Sequence, residues 1–237
     1  MKLALIGYGA MGRLVETQAE AAGDQIGIKL TSNESDQDID EIAAMLRRHD
    51  VAIDFSVGAA VLRNVEACAR ASVPLVEGTT GWKDQEGRVK EIVTEHNGAL
   101  VYGANFSIGV NVFYRIVADA AKLFAGLDQY ETFIEEQHHS RKRDAPSGTA
   151  LKLKSLVAEF IKGDISIAST RAGNIPGTHR VGFDSPADQV TLTHMARSRE
   201  GFAAGALLAA RWIIGRKGVY EFSEVIDEIL GRNRSTD

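Results

Sequence analysis

The densest run of chemically capable side chains lies between Glu135 and Ala150, reading EEQHHSRKRDAPSGTA. Lys142 follows His138 and His139 closely, so one short segment holds groups that can donate protons and attract an anion. Pro146 suits the start of a helix, which places Ser147, Gly148 and Thr149 in its first turn. Free backbone N–H groups and hydroxyls there would receive a carboxylate. If the histidines close a strand, neighbours point to opposite faces, which leaves a purely structural role open for one of the pair. A metal centre would have to recruit His138, His179, His194 and Glu136. H-x-x-x-H and C-x-x-C spacings are missing, so no metal is expected.

The second chemical motif is Gly7-Tyr8-Gly9-Ala10-Met11-Gly12, a G-x-G-x-x-G between an apolar run and a helical pattern. Gly7 would permit the tight turn, Gly9 the approach of a pyrophosphate, and Gly12 close packing of helix on strand. A nicotinamide dinucleotide is the expected cofactor. The end of the second strand reads Thr31-Ser32-Asn33, with Glu34 one step beyond the usual acidic position. Hydroxyls can bind a 2′-phosphate without repelling it, so NADPH is favoured slightly over NADH.

These segments need a scaffold. Short apolar runs alternate with helical patterns from Lys2 to Tyr102, which predicts a parallel sheet covered on both faces. Pro74 marks either an edge strand or a strand start. Gly78-Thr79-Thr80-Gly81 follows the fourth strand, at the carboxyl edge where ligands bind. Near Asn105 the rhythm changes. A long helix over 108–124, an extended stretch over 130–138 and a helix over 147–162 precede three consecutive strands, which predicts a mixed or antiparallel sheet in a second domain. Helices over 202–214 and 222–230 close the chain. The expected fold class is α/β, a Rossmann-like dinucleotide-binding domain followed by an α+β domain with a mixed sheet.

Composition narrows the function classes. Of 237 residues, 44% are hydrophobic and 25% charged, which excludes disorder for the bulk of the chain. Lys plus Arg numbers 27 against 32 Asp plus Glu, a net charge of −5 that argues against a general nucleic-acid or anionic-membrane binder. No apolar run reaches the ~18 residues of a membrane span. The first residues look superficially like a signal peptide, but Gly7, Gly9 and Gly12 break the run, so a strand and turn are expected. One cysteine, Cys68, allows no intrachain disulfide and fits a reducing, cytoplasmic setting.

The segment HHSRKRDAPSGTA resembles the signature of the 4-hydroxy-tetrahydrodipicolinate reductase family. Asp54-Phe55-Ser56, Gly78-Thr79-Thr80-Gly81, Ala104-Asn105-Phe106-Ser107, Arg171-Ala172-Gly173, Pro176-Gly177-Thr178-His179, His194 and Arg199 extend the resemblance over nearly the whole chain. It implies hydride transfer from NADPH or NADH to a small cyclic dicarboxylate, one domain closing on the other, and a homotetramer. It implies His138 and Lys142 as proton-transfer groups, and His139, Gly148 and Thr149, with Ser147 beside them, as carboxylate binders. Gly7 to Gly12, Thr31, Ser32, Phe55, Gly78 to Thr80 and Gly103 to Phe106 would line the cofactor. The implied division is 1–105 for cofactor and 106–215 for substrate and assembly, with 216–237 returning to the first domain. The glycine turn departs from the G-x-x-G-x-x-G expected of many relatives, and an acid–arginine pair after the second strand is missing. Two other functions fit parts of the sequence. A different amino-dicarboxylate dehydrogenase would share the first domain, and a cofactor-sensing module would need the glycine turn alone.

Overall fold

The computed structural model describes residues 1–34 and 37–231. The chain opens with β1 (Lys2–Ile6), α1 (Ala10–Ala21), β2 (Gln25–Leu30), α2 (Ile39–Leu46), β3 (Val51–Asp54), α3 (Val61–Ala71), β4 (Leu75–Glu77), α4 (Glu86–Glu95) and β5 (Ala99–Tyr102). It continues through α5 (Ile108–Phe124), β6 (Glu131–His138), α6 (Gly148–Ala158), β7 (Ser166–Arg171), β8 (Thr178–Asp184) and β9 (Gln189–Met195). It ends with α7 (Glu200–Ile213), β10 (Gly218–Glu221) and α8 (Phe222–Ile229). Two compact units result, one from Met1–Ile108 with Arg199–Asp237, the other from Gly109–Ser198. No helix among the described residues is long and apolar enough to cross a membrane.

The first unit is a parallel sheet in the order β10-β5-β4-β3-β1-β2. Its inner strands are apolar on both faces because both faces are covered. Ala4, Ile6, Ala52, Leu75 and Leu100 pack with Ile42, Val65 and Ile92 of α2, α3 and α4. Leu3, Leu5, Ile53, Val76 and Val101 pack with Val15 of α1, Ala206 and Ala210 of α7, and Val225 of α8. Pro74 lies just before β4, an interior strand, so it marks a strand start rather than an edge.

The chain re-enters the first unit at Arg199, well before residue 216. Small residues on α7 explain this. A Cβ at Gly205 would overlap the carbonyl oxygen of Phe106, so only glycine lets the helix lie that close. Strand β10 was not foreseen. It pairs in parallel with β5 and forms the sheet edge, leading into α8 through a capping box of Glu221 and Glu224. Of the returning segment, residues 232–237 lie outside the described residues.

The second unit is a four-stranded sheet in the order β7-β6-β8-β9. β6 runs parallel to β7 and antiparallel to β8, so the sheet is mixed. Ile134 and Val181 on the sheet, Val117 of α5 and Leu153 of α6 form its core. Helix α6 ends at Ala158, short of the expected Lys162.

Candidate active site

In the second unit, the period-two alternation of β6 turns Ile134, Glu136 and His138 inward and leaves Glu135 and Gln137 outward. Sheet register then gathers residues far apart in sequence. Glu136 lies opposite Ser169 of β7 and His179 of β8, and His138 lies opposite Arg171. The fully buried Glu136 carboxylate receives the Arg171 guanidinium as a fork, at 2.6 and 2.9 Å. It also accepts from the Ser147 N–H at 3.3 Å and from His138 Nδ1. Burial works against the charge, yet Arg171, Ser169 and His138 together hold Glu136 down to about 2.

His138 is fixed by this carboxylate. With Nδ1–H committed to Glu136, Nε2 is the acceptor nitrogen, and it faces Gly177, where a Cβ would come within 3.2 Å. Burial pushes His138 below its ordinary value despite the carboxylate. His179 is driven further, to about 4, by burial and by the charge of His138. Its ring meets that of His138 edge-on at 5.0 Å, and its Nε2 lies 3.2 Å from Ser147 Oγ. His194 packs on Phe113 and is lowered by burial.

The helix starts at Gly148, two residues after Pro146, so Ser147 lies at its cap rather than in its first turn. Ser147 caps α6, its hydroxyl accepting from the Ala150 N–H at 3.2 Å. Lys142 Nζ pairs with Asp144 at 2.8 Å, and this lysine, together with the Gly148 N–H, holds the Asp144 carboxyl low. An internal carboxylate therefore already sits at the anion-binding end of α6. Thr149 bonds Tyr114, whose hydroxyl burial raises. His139 is half-buried and its Nδ1 has no partner among the described residues, in contrast to His138. Arg171 ties the segment down by also donating to the Asp144 carbonyl at 2.5 Å.

Glu136, His138 and His179 present ligand atoms within 4.8 Å of one another. Arg171 engages both oxygens of that carboxylate, so a fixed cation stands where a divalent ion would need the charge. Glu136, Arg171 and Asp144 are the contributors that reading the sequence for a site passed over. An E-x-H pair on a strand is the signal that could have found Glu136, because it puts both side chains on one face.

In the first unit, the expected cofactor loops follow β1, β3, β4 and β5, all at the carboxyl edge of the sheet. Gly7 has φ +82, and a Cβ there would strike the Phe55 carbonyl. A Cβ on Gly12 would strike the Gly7 carbonyl, whereas nothing lies within 4 Å of one on Gly9. The turn is thus packed below and open above, with α1 offering its first N–H groups, a cradle that fits a pyrophosphate. Ala10 is exposed and Met11 packs on the core. Gly78 crosses the Phe55 ring so closely that a side chain would clash with it. The Phe106 ring is buried between Phe55 and Phe222, which leaves only its backbone to a ligand; Gly103 and Ala104 precede it, and the Asn105 carboxamide caps the Ser107 N–H. After β2, Thr31 donates its N–H and hydroxyl to Glu34, at 2.6 and 3.0 Å, and Ser32 opens a short turn. Lys29 pairs with Glu16 and lies 4.4 Å over the Tyr8 ring, with Arg13 at 5.5 Å.

Comparisons with known proteins identify the family of the chain. Residues 1–106 match the family described as dihydrodipicolinate reductase, N-terminus, and residues 109–226 match its C-terminus. A 4-hydroxy-tetrahydrodipicolinate reductase of Christiangramia forsetii is 37% identical over 97% of this chain and 99% of its own length. One of Archaeoglobus fulgidus is 34% identical over 96% of this chain and 100% of its own. In fold, the chain is similar to a dipicolinate-bound dihydrodipicolinate reductase of Paenisporosarcina, with TM-score 0.75 over 95% of this chain and 99% of that one, at 19% identity. By family match and by identity over nearly its full length, this chain belongs to the dihydrodipicolinate reductase family.

Proposed function

We propose that the chain reduces 4-hydroxy-tetrahydrodipicolinate to tetrahydrodipicolinate with NAD(P)H, the hydroxyl leaving as water, in the diaminopimelate route to lysine. The observation that carries the residue assignment is the buried Glu136–His138 pair beside the α6 N-terminus and Lys142. When bound, the nicotinamide supplies the hydride. The glycine turn and the loops at Phe55, Gly78–Thr80 and Gly103–Phe106 hold it, with Thr31 and Ser32 toward the ribose end.

The second unit handles charge and protons. The Gly148 and Thr149 N–H groups, with His139 and Ser147 beside them, receive a substrate carboxylate, which takes the place of Asp144 at the helix start. Release from Asp144 leaves Lys142 Nζ as the cationic proton donor to the reduced substrate. His138, neutral near pH 7 and with Nδ1–H held by Glu136, contributes Nε2 as acceptor, and takes a proton there when one is offered. Arg171 keeps Glu136 ionised throughout.

Three finer readings go with this. NADPH is preferred over NADH, because Arg13 and Lys29 flank Tyr8 beside the end of β2 while Glu34 is folded back onto Thr31. The enzyme is a homotetramer, consistent with the exposure of Val190 and Met195 on β9. It works in the cytoplasm, where its single thiol stays reduced.

Enzymatically generated substrate with NADPH should give cofactor oxidation followed optically. No turnover with either nicotinamide would overturn the reading. His138→Ala and Lys142→Ala should each lower kcat by about 10²-fold or more with cofactor Kd nearly unchanged. Native mass measurement reads the assembly, and a dimer or monomer would refute the tetramer.

A further inference from the structure

Two carboxyl groups outside the proton-transfer site stand side by side in the first unit. Asp54 ends β3 and Glu77 ends β4, and they are register partners across the parallel pair. Both side chains are fully buried. Two buried carboxylates this close do not both ionise, so the pair retains a proton.

The hydrogen bonds around them are unequal, and this locates the proton. Asp54 is ringed by donors. It accepts from the Ser56 N–H at 2.7 Å, from Asn64 Nδ2 at 2.7 Å and from the Thr79 hydroxyl at 3.3 Å. Glu77 draws its donors from Thr79 alone, chiefly the Thr79 N–H at 2.7 Å on Oε1, and its Oε2 has no donor among the described residues. A buried oxygen without a donor is satisfied by carrying the proton itself and giving it to the neighbouring acceptor. Asp54 is therefore the anion and Glu77 the acid.

Apart from Asn64 of α3, the donors to this pair come from the loops expected to receive the cofactor. Ser56 follows Phe55, and Thr79 lies within Gly78–Thr80. The two loops are also joined directly, the Ser56 N–H meeting Thr79 Oγ at 3.1 Å. Burial and the mutual charge both raise Glu77, and burial raises Asp54 against its donors. The other ionisable groups around the pair do not compete. Cys68 of α3 is buried and its thiol is pushed well up, and Tyr102, next to Glu77 in register on β5, turns its hydroxyl to Glu86 and Glu221.

We propose that Asp54 and Glu77 are positioning residues, a dyad that shares one proton and clamps the Phe55–Ser56 and Gly78–Thr80 loops in the shape that binds the nicotinamide cofactor. The clamp rests on the reading that these loops line the cofactor. At alkaline pH the dyad loses its proton, the two carboxylates repel, and the loops part.

Two variants and two readouts test it. In Glu77→Gln the amide donates to Asp54 as the carboxyl did, but cannot ionise. In Asp54→Asn the amide hydrogens meet three donors. NADPH Kd, measured by cofactor fluorescence, should weaken about fivefold or more between pH 6.5 and 9.5 in the unmodified enzyme beyond any change in Glu77→Gln. Asp54→Asn should bind about tenfold more weakly at every pH. Thermal melting without cofactor reads the dyad alone. The folded chain keeps a proton that the unfolded carboxyl loses near 4.5, so stability falls as pH rises above that value. The melting temperature of Glu77→Gln should therefore climb relative to the unmodified chain by about 3 °C or more from pH 5 to 9. Parallel melting curves for the two proteins would overturn the shared proton. A melting difference with identical Kd profiles would overturn the cofactor role of the loops.

Discussion

Glu136→Gln tests the core of the proposed proton-transfer site. The substitution keeps shape and one acceptor oxygen but removes the charge that Arg171 and His138 share. The environment lowers the Glu136 carboxyl from 4.5 to about 2, which at 1.36 kcal/mol per unit is about 3 kcal/mol of native-state stabilisation of the ionised form. Losing it also strands the Arg171 guanidinium, 83% shielded in its side chain, without its buried counter-charge. For a chain this long, about 3 kcal/mol is about 6–12 °C of melting temperature. The catalytic consequence is separate. Gln still accepts from His138 Nδ1 through an amide oxygen but can equally present its NH₂, so the tautomer with Nε2 free is no longer imposed. The expected loss is about 10²-fold in kcat with KM for NADPH within about twofold, in line with removal of partners that orient a reactive imidazole. The optical assay and a thermal melt on the same preparation read both. Because the native pair depends on an ionised Glu136, its stabilisation is present above 4.5 and disappears as pH falls toward about 2, so the melting difference between the two proteins should shrink over that range. A variant with kcat within about threefold of the unmodified enzyme would refute the orienting role.

Other consequences follow from the same geometry. His179 is held neutral down to about 4, so the folded chain binds fewer protons than the unfolded one between 6.5 and 4, and stability falls with acid across that interval; His179→Gln should flatten this part of a melting-temperature profile. Gly205→Ala forces a methyl into the Phe106 carbonyl and should cost about 2 kcal/mol or more in urea unfolding, whereas Gly87→Ala, on an exposed helix face with open space, should be neutral or stabilising. Lys29→Ala should reduce the ratio of kcat/KM for NADPH over NADH about fivefold, and an unchanged ratio would remove Lys29 from cofactor choice.

Much of the architecture was legible because it depends on local rules. Alternating apolar runs and helical periods specify a covered parallel sheet, and the glycine turn fixes where the first strand meets its helix. Gly12 is required by the Gly7 carbonyl five residues back in the same turn, whereas Gly7 is required by its positive φ and by the approach of Phe55 and Ser56 from the end of β3. The start of α6 was legible to within two residues from Pro146, although Ser147 proves to be its cap rather than part of its first turn. The run from His138 to Thr149 stood out as a candidate because its members are neighbours in sequence.

What the chain order alone did not disclose depends on sheet register. Arg171 and His179 reach Glu136 only because β6 pairs in parallel with β7 and antiparallel with β8, and a one-residue slip would turn Glu136 and His138 to the other face. Asp54 and Glu77 likewise read as ordinary strand ends until β3 and β4 pair and burial removes the water that would have let both ionise. The early return at Arg199 and strand β10 were settled by how closely an alanine-rich helix fits the sheet, which no local pattern encodes. The sequence thus determined which groups are available and on what elements they ride. Only the tertiary structure decided which charges meet in the dry interior, because pairing and desolvation depend on neighbours distant along the chain.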